Sequence, residues 1–300
     1  MTALALDVGG TKFAAAFVAD DGTPVEPKTV PVPATSVWDT CAALLREVAD
    51  TEPITAVGIA SAGPVDVQGG TVAPINMPEW SRGFPLVEAV RSLFPNARVA
   101  LAMDGAAATL AEQRFGAGRG TDDLLGVVLG TGIGGGIVLG GRLVSGRTGN
   151  AGHIGHMVSA YGSERCACGG AGCIETVSSG TAAVKWARAR GWGGRDGAAL
   201  AADAQAGSGV AAAALERAGT ALGQVIASAA ALTDVSLAVV GGGFAQAGTP
   251  LWRPMLASAA RQARLGFIRD LRIVPASLGA LGTLAGASAL TASALTLGHE

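Results

Sequence analysis

The stretch ALALDVGGTKFAAAFV, Ala3–Val18, holds an apolar run, a glycine turn with a threonine, and a second apolar run. Short apolar runs on either side of a Gly-Gly turn predict a β-hairpin. The same layout returns in LLGVVLGTGIGGGIVL, Leu124–Leu139. Although identity between the two stretches is slight, their shared layout indicates a structural duplication with one hairpin at the start of each half.

Apolar spacing around the two hairpins predicts strands that alternate with helices. Helices are predicted at 38–49, 84–93, 106–115, 282–297, and across 178–232 with breaks near 191–197 and 207. Strands are predicted at 54–59, 99–103, 236–240 and 271–274. Asp104, which follows one of these strands, is predicted to be the N-cap of the next helix. The alternation indicates an α/β protein with mixed sheets, and two hairpin-bearing halves suggest two domains with a cleft between them.

Composition limits the classes of partner. Of the 300 residues, 49% are apolar and 15% are charged, which allows a sizeable core. The net charge is −2 and there is no basic tract, so nucleic acid and membrane surfaces are not expected as partners. No signal peptide is visible at the start, and apolar runs such as 225–232 are too short to cross a bilayer. A cytoplasmic, soluble protein with reduced cysteines is therefore expected.

Three glycine turns, at 9–12, 130–136 and 241–243, each end an apolar strand. The backbone N–H groups of such turns form concavities that bind phosphate, but glycine also serves simple turns, and the turns alone leave both readings open. The run GTGIGG resembles a dinucleotide-binding motif. That motif requires a following helix and an acidic residue, whereas IVLGGRLV follows here and no Asp or Glu lies between Asp123 and Glu164.

Two of the three histidines and three of the four cysteines fall within 151–175. Three thiolates and one imidazole in the spacing H-x9-C-x-C-x4-C predict a closed tetrahedral site for structural zinc, with the ligands His156, Cys166, Cys168 and Cys173. The alternative is a set of unliganded cysteines that fill the core. Cys41 lies in a helical pattern far away and is expected in the core. For His153 a polar role near this loop is preferred over a bystander position on the surface.

These motifs together resemble the ROK family of bacterial sugar kinases. They run in family order along nearly the whole chain: DVGGTK at 7–12, Asp104 before an Ala-rich helix, GTGIGGG at 130–136, GHIGHM at 152–157, CACGGAGCIE at 166–175 and VVGGG at 239–243. The resemblance implies the actin-like ATPase (ribonuclease H-like) fold, with two α/β domains flanking a cleft. The smaller domain, with sugar and phosphate motifs, would span 1–116 and be completed by a C-terminal helix at 285–300. The larger domain, with the zinc loop and the nucleotide site, would span 117–284.

The resemblance also implies an ATP-dependent and Mg²⁺-dependent kinase, often a homodimer or homotetramer, with Asp104 as the base that accepts the proton of the sugar hydroxyl. Asp7 would hold the magnesium–phosphate unit, and further residues would line the nucleotide: Gly9, Gly10, Thr11, Lys12, Gly130, Thr131, Gly132, Gly242 and Gly243. The sugar would meet Gly63, Asn76, Met103, Asp104, His153, His156 and Glu175. ROK-type repressors share the fold, but the phosphate motif begins too early here to leave room for a DNA-binding segment.

Two positions depart from the glucokinase-like pattern. Glucokinase-like members have Glu where this chain has His153, and Asn where it has Met103. Histidine at the first position resembles bacterial N-acetylmannosamine kinases, so N-acetylmannosamine is the favoured substrate and glucose the alternative. Met103 removes an amide that would bond a sugar hydroxyl. It raises a third alternative, a catalytically silent sugar sensor, against which the retained Asp104 and phosphate-loop glycines argue.

Overall fold

The computed structural model describes the backbone of residues 2–296 and the side chains through Ala292. Within these limits the chain groups into two compact units. The first unit contains residues up to 120, 136–151 and those from 280 onward, and the second contains 121–135 and 152–279. Residues 136–151, which the sequence places in the second domain, therefore group with the first unit. The cause is direct hydrogen bonding, since Val67 N donates to Thr148 O at 2.9 Å and Asn150 Nδ2 donates to Val65 O at 2.7 Å.

A five-stranded sheet in the first unit is built on the first hairpin. The strands of this sheet are β1 (Ala3–Val8), β2 (Lys12–Val18), β3 (Pro24–Pro31), β4 (Ala56–Ser61) and the strand after the ribbon described next. Between β4 and that last strand, β5 (Val65–Asp66) and β6 (Thr71–Val72) form a separate two-stranded ribbon. The last strand of the sheet is β7 (Arg98–Met103). Their order is β3-β2-β1-β4-β7. β1 pairs antiparallel with β2 and parallel with β4, and β4 pairs parallel with β7.

A second five-stranded sheet is built on the second hairpin. Its strands are β8 (Leu124–Leu129), β9 (Ile133–Leu139), β10 (Arg142–Leu143), β11 (Leu237–Gly241) and β12 (Arg272–Pro275). The order β10-β9-β8-β11-β12 repeats that of the first sheet, with the third, second, first, fourth and fifth strands side by side. The structural duplication indicated by the two hairpins is therefore confirmed.

Most of the helices lie where the apolar spacing predicts them. They are α1 (Val37–Ala49), α2 (Leu86–Leu93), α3 (Asp104–Phe115), α4 (Glu175–Ser178), α5 (Gly180–Arg188), α6 (Gly197–Gln205), α7 (Gly209–Thr233), α8 (Thr249–Gln262) and α9 (Gly282–Thr296). α8, like β3, was not predicted. The predicted ends of the last helix, at 297 and 300, fall outside the described residues. Among residues 2–296, none of the helices combines the length and the apolar character that crossing a bilayer requires.

Each unit has its own packed interior. In the first, α9 lies against β4 and β1, and Trp80 stacks on Phe13 and Phe84 with ring centroids 6.0 and 4.3 Å apart. In the second, α7 packs along α8. A Cβ at Gly223 would lie 2.2 Å from Met255 O, so the two helix backbones are in direct contact there. Glycine is therefore required at this crossing because of space.

Candidate active site

The first glycine turn, after β1, brings a predicted phosphate loop and a predicted sugar residue into contact. Gly9 N donates to Lys12 O at 3.2 Å and closes the turn. A Cβ at Gly10 would lie 1.7 Å from Asn76 Nδ2, so the carboxamide of Asn76 rests directly on Gly10. Thr11 and Lys12 are exposed. The turn thus presents polar side chains and backbone N–H groups beside Asn76.

Asp7, a carboxylate of the first unit, is affected electrostatically by Asp104 of the same unit. The pKa of Asp7 is raised to about 7: burial is the largest cause, the charge of Asp104 adds to it, and the ammonium group of Lys12 opposes both. The ionised form of Asp7 is therefore costly in the protein without ligands. A bound cation would favour that form, as expected of a residue that holds a magnesium–phosphate unit.

Asp104 is the first residue of α3, and the N-cap prediction is wrong. The cap is Met103, whose side chain makes no capping bond. Asp104 Oδ1 instead accepts from Gly105 N at 2.6 Å. Burial raises the pKa of Asp104, and the bond from Gly105 lowers it by less. Desolvation therefore outweighs the stabilisation that a helix N-terminus offers to an ionised carboxyl.

Met103 is a core residue that packs against Gly63. Its side chain is 1% exposed and belongs to the apolar core of the first unit. A Cβ at Gly63 would lie 3.3 Å from the Met103 sulfur, so the thioether backs Gly63 closely. The predicted sugar residues Gly63 and Met103 are thus neighbours, and the thioether supplies neither a strong donor nor a strong acceptor there.

The second glycine turn, after β8, is fixed by bonds from two helices of the second unit. Gly130 O accepts from Gly180 N, at the start of α5, at 2.8 Å. Ile133 N donates to Glu175 Oε2, at the start of α4, also at 2.8 Å. A Cβ at Gly132 would lie 2.6 Å from the same carboxylate oxygen. A predicted sugar residue, Glu175, therefore rests on the predicted phosphate loop.

A cavity of about 1130 Å³ opens beside this turn within the second unit. The predicted nucleotide residues Gly130, Thr131 and Gly243 line it, together with the first residues of α5 and α6 and the side chains of Lys185, Arg188, Arg195 and Phe244. Gly242 packs instead on the backbone of β8, since a Cβ there would lie 2.4 Å from Leu129 O. The helix starts and the glycine turn favour an anionic ligand in this cavity, whereas Lys185 and Arg195 are already paired with Glu164 and Asp196.

The helix starts and cations of the cavity were missed by the sequence analysis. The Arg188 guanidinium donates to Gly194 O at 3.0 Å and to Arg195 O at 2.7 Å, which fixes the loop before α6. Asp196 Oδ1 caps that helix by accepting from Ala199 N at 2.9 Å. The glycine-rich break at 191–197 was the only sequence signal of this loop.

The four predicted metal ligands converge in the second unit. One ligand atom from each of His156, Cys166, Cys168 and Cys173 lies within 4.8 Å of the others. The sulfurs of Cys168 and Cys173 are 3.7 Å apart, and Cys166 Sγ is 3.8 Å from His156 Nδ1. A tetrahedron with zinc–sulfur bonds of about 2.3 Å has edges of about 3.8 Å, so these residues fit zinc. If Nδ1 binds the metal, Nε2 of His156 is left for another partner. Cys41 is fully buried in the other unit, as predicted.

His153 lies beside this cluster, and its ring centroid is 4.5 Å from that of His156. Burial lowers the pKa of His153, the His156 charge lowers it further, and Glu175 opposes both. Among the described residues, the buried Nδ1 of His153 has no hydrogen-bond partner. Such an atom is costly unless a ligand or water satisfies it, which is consistent with a polar role for His153.

Comparison with known proteins finds one family that matches nearly the whole chain. The model of the ROK family matches residues 3–294. The chain is 37% identical over 300 residues to the kanosamine kinase of Amycolatopsis mediterranei, covering 96% of this chain and 95% of that protein. It is 35% identical over 243 residues to the N-acetylmannosamine kinase of Yersinia pseudotuberculosis, covering 80% and 82%. The crystal structure of the ROK hexokinase from Thermus thermophilus superposes with a TM-score of 0.90, 30% identity and coverage of 99% and 100%. The fold is accordingly the actin-like ATPase fold.

Proposed function

The chain belongs to the ROK family and is a sugar kinase; we propose that it transfers the γ-phosphoryl group of ATP to the 6-hydroxyl of a hexose or N-acylhexosamine. N-acetylmannosamine is the favoured acceptor. The proposal depends mainly on the position of Asp104, whose largely enclosed carboxyl lies at the junction of β7 and α3. Asp104 is proposed as the general base of the reaction.

The geometry of Asp104 suits a base. One oxygen is held by Gly105 N, and within residues 2–296 the side chain makes no other hydrogen bond, which leaves Oδ2 to accept a proton. A sugar alcohol is very weakly acidic, so its proton leaves only as the bond to phosphorus develops, and a carboxylate within hydrogen-bond reach suffices. A raised pKa brings the base closer to the operating pH, which makes it a better acceptor.

Phosphoryl transfer depends mainly on positioning and on neutralising charge. The cavity beside the second glycine turn is proposed to hold the nucleotide, with Gly130, Thr131 and the start of α5 at its phosphates. The first glycine turn is proposed to contact phosphate through its N–H groups and Lys12. Mg²⁺ bound with ATP supplies further neutralisation, and Asp7 is the carboxylate proposed to hold it.

The sugar is proposed to bind His153, His156 and Glu175 in the second unit and Gly63 and Asn76 in the first. Among the described residues, Glu175 Oε1 has no hydrogen bond, and zinc bound at Nδ1 would leave Nε2 of His156 to face the sugar. The proposed zinc ion holds the loop that carries them and takes no part in proton transfer. His153 favours N-acetylmannosamine over glucose, because its imidazole can donate a hydrogen bond to an acetamido oxygen and a carboxylate cannot. A homo-oligomeric, cytoplasmic enzyme remains a prediction.

The proposal is tested by sugar-dependent ADP release, coupled to an indicator reaction, with N-acetylmannosamine, N-acetylglucosamine, glucose, mannose and kanosamine as acceptors. Kanosamine is included because a relative matching 96% of the chain carries the name kanosamine kinase. We expect turnover with N-acetylmannosamine and product phosphorylated at the 6-position. Turnover of glucose in its place would support the glucokinase alternative. Binding of a sugar without ADP release would support the silent sensor and refute the kinase.

A further inference from the structure

Glu175 serves two sites at once in the second unit. Its Oε2 accepts from Ile133 N of the glycine turn at 2.8 Å, and its Oε1 is left for the sugar. We propose that the contact of Glu175 with Gly132 and Ile133 couples the sugar site to the phosphate loop, so that a nucleotide-loop glycine sets the affinity for sugar. This inference rests on the proposed function, because it takes Glu175 as a sugar ligand.

Glu175 is held rigidly enough to act as such a link. It begins α4 two residues after the metal-cluster residue Cys173. Ile174 N donates to Met157 O at 2.8 Å, and Thr176 N donates to Cys173 O at 2.9 Å. The backbone on both sides of Glu175 is therefore fixed to the metal loop, so a shift of its carboxylate requires a change of side-chain rotamer. A rotamer change away from the turn breaks the bond to Ile133 N and moves Oε1 at the same time.

Gly132 is glycine because of this carboxylate. Its φ does not lie in the left-handed region, so the backbone conformation does not demand glycine. Glycine is required at position 132 by the lack of space, because a Cβ there would lie 2.6 Å from Glu175 Oε2 and 3.3 Å from its Cδ. Gly130, two residues earlier in the same turn, provides the contrast. A Cβ at Gly130 would meet no atom within 4 Å, and its φ is also outside the left-handed region.

The first unit repeats the arrangement. The turn of its hairpin contains Gly10, where an added Cβ would lie 1.7 Å from Nδ2 and 2.6 Å from Cγ of Asn76. The φ of Gly10 also lies outside the left-handed region. In both copies of the duplicated hairpin, a glycine of the turn thus makes room for a polar side chain that is proposed to bind sugar. The recurrence of this contact in both hairpin turns supports coupling as its common purpose.

The coupling has a thermodynamic consequence. Sugar that bonds to Oε1 favours the rotamer in which Oε2 holds Ile133 N, and this orders the turn that receives the phosphates. Binding of sugar therefore increases the affinity for nucleotide, and by linkage nucleotide increases the affinity for sugar by the same factor. Typical coupling of this kind is on the order of 5-fold to 150-fold.

The first test measures sugar affinity by titration calorimetry without nucleotide, using N-acetylmannosamine, or whichever sugar of the panel is turned over. We expect Gly132→Ala to weaken sugar binding by about tenfold or more, because its Cβ displaces a carboxylate that makes charge-assisted bonds. Gly130→Ala is the matched control in the same turn and should leave the sugar affinity unchanged. An unchanged sugar affinity in Gly132→Ala, with sugar bound by the wild type, would overturn the coupling.

A second test separates coupling from a merely structural role. Glu175→Gln keeps the shape of the side chain, and its zinc content and thermal midpoint report its fold. In the wild type, sugar should raise the affinity for a non-hydrolysable ATP analogue with Mg²⁺ at least about fivefold. In Glu175→Gln this factor should fall toward one, because the neutral amide holds Ile133 N more weakly. A factor of one in the wild type, or an unchanged factor in the variant, would refute the inference. Failure of the wild type to bind any sugar would refute the proposed function instead.

Discussion

Asp7→Asn is expected to stabilise the ligand-free protein, by an amount that grows with pH. The pKa of Asp7 is about 7 in the folded protein against 3.8 for an ordinary aspartate. Between these pH values the folded state binds more protons than the unfolded state, so the free energy of unfolding falls as pH rises. A difference of about 3 pKa units at 1.36 kcal/mol each sets an upper limit of about 4 kcal/mol above pH 7. Asparagine cannot ionise and does not carry this cost.

The assay is thermal or urea unfolding of wild type and Asp7→Asn from pH 5 to pH 8, without Mg²⁺ or nucleotide. Linkage predicts that the advantage of the variant grows by about 2–3 kcal/mol over this range. Asp20→Asn, at an exposed turn of the same unit, is the control and should show no such growth. An advantage that does not change with pH, or a variant less stable than wild type at pH 8, would refute the assignment of the cost to Asp7. The variant should also lose kinase activity, because Asp7 is the carboxylate proposed to hold the magnesium–phosphate unit.

Three further predictions follow from the geometry. Because burial raises the pKa of Asp104, the acid limb of the pH profile of kcat/KM should lie above the range of an ordinary aspartate, and a limb near pH 4 would contradict this. Purified protein should contain about one zinc per chain by elemental analysis, and Cys168→Ser should lower both the zinc content and the thermal midpoint; a metal-free wild type would defeat the ligand assignment. Gly223→Ala should destabilise the protein by about 1–3 kcal/mol, since its Cβ would meet the backbone of α8, whereas Gly209→Ala in open space should be nearly neutral; equal midpoints would contradict the close packing.

The fold could be predicted where short-range signals agree with tertiary packing. The hairpin at β1 and β2, the buried strand β4 and the helix α7 all contain apolar runs, and all lie within about two residues of where they are expected. β3 was missed because it is an exposed edge strand containing prolines, and such a strand has no apolar alternation. α8 was missed because Pro254 lies inside it, and proline normally breaks a helix interior. Packing along α7 is the tertiary contact that holds this helix.

The site was predictable as a set of motifs and much less so as an arrangement. The spacing of the metal-loop cysteines is local, so the cluster follows from the sequence. The bond from Ile133 to Glu175 joins residues 42 positions apart, and no short-range pattern encodes it. The raised pKa of Asp104 likewise depends on burial by the residues packed around it, which no short-range pattern encodes.

Asp104 is proposed to take the proton of the sugar hydroxyl. Comparing kcat and sugar affinity in wild type and Asp104→Asn tests this role, because asparagine preserves the shape and removes the base. We predict a loss of kcat of about 10²-fold to 10⁴-fold with sugar bound nearly as tightly as before. Sugar-dependent ADP release by Asp104→Asn at the wild-type rate would contradict the account.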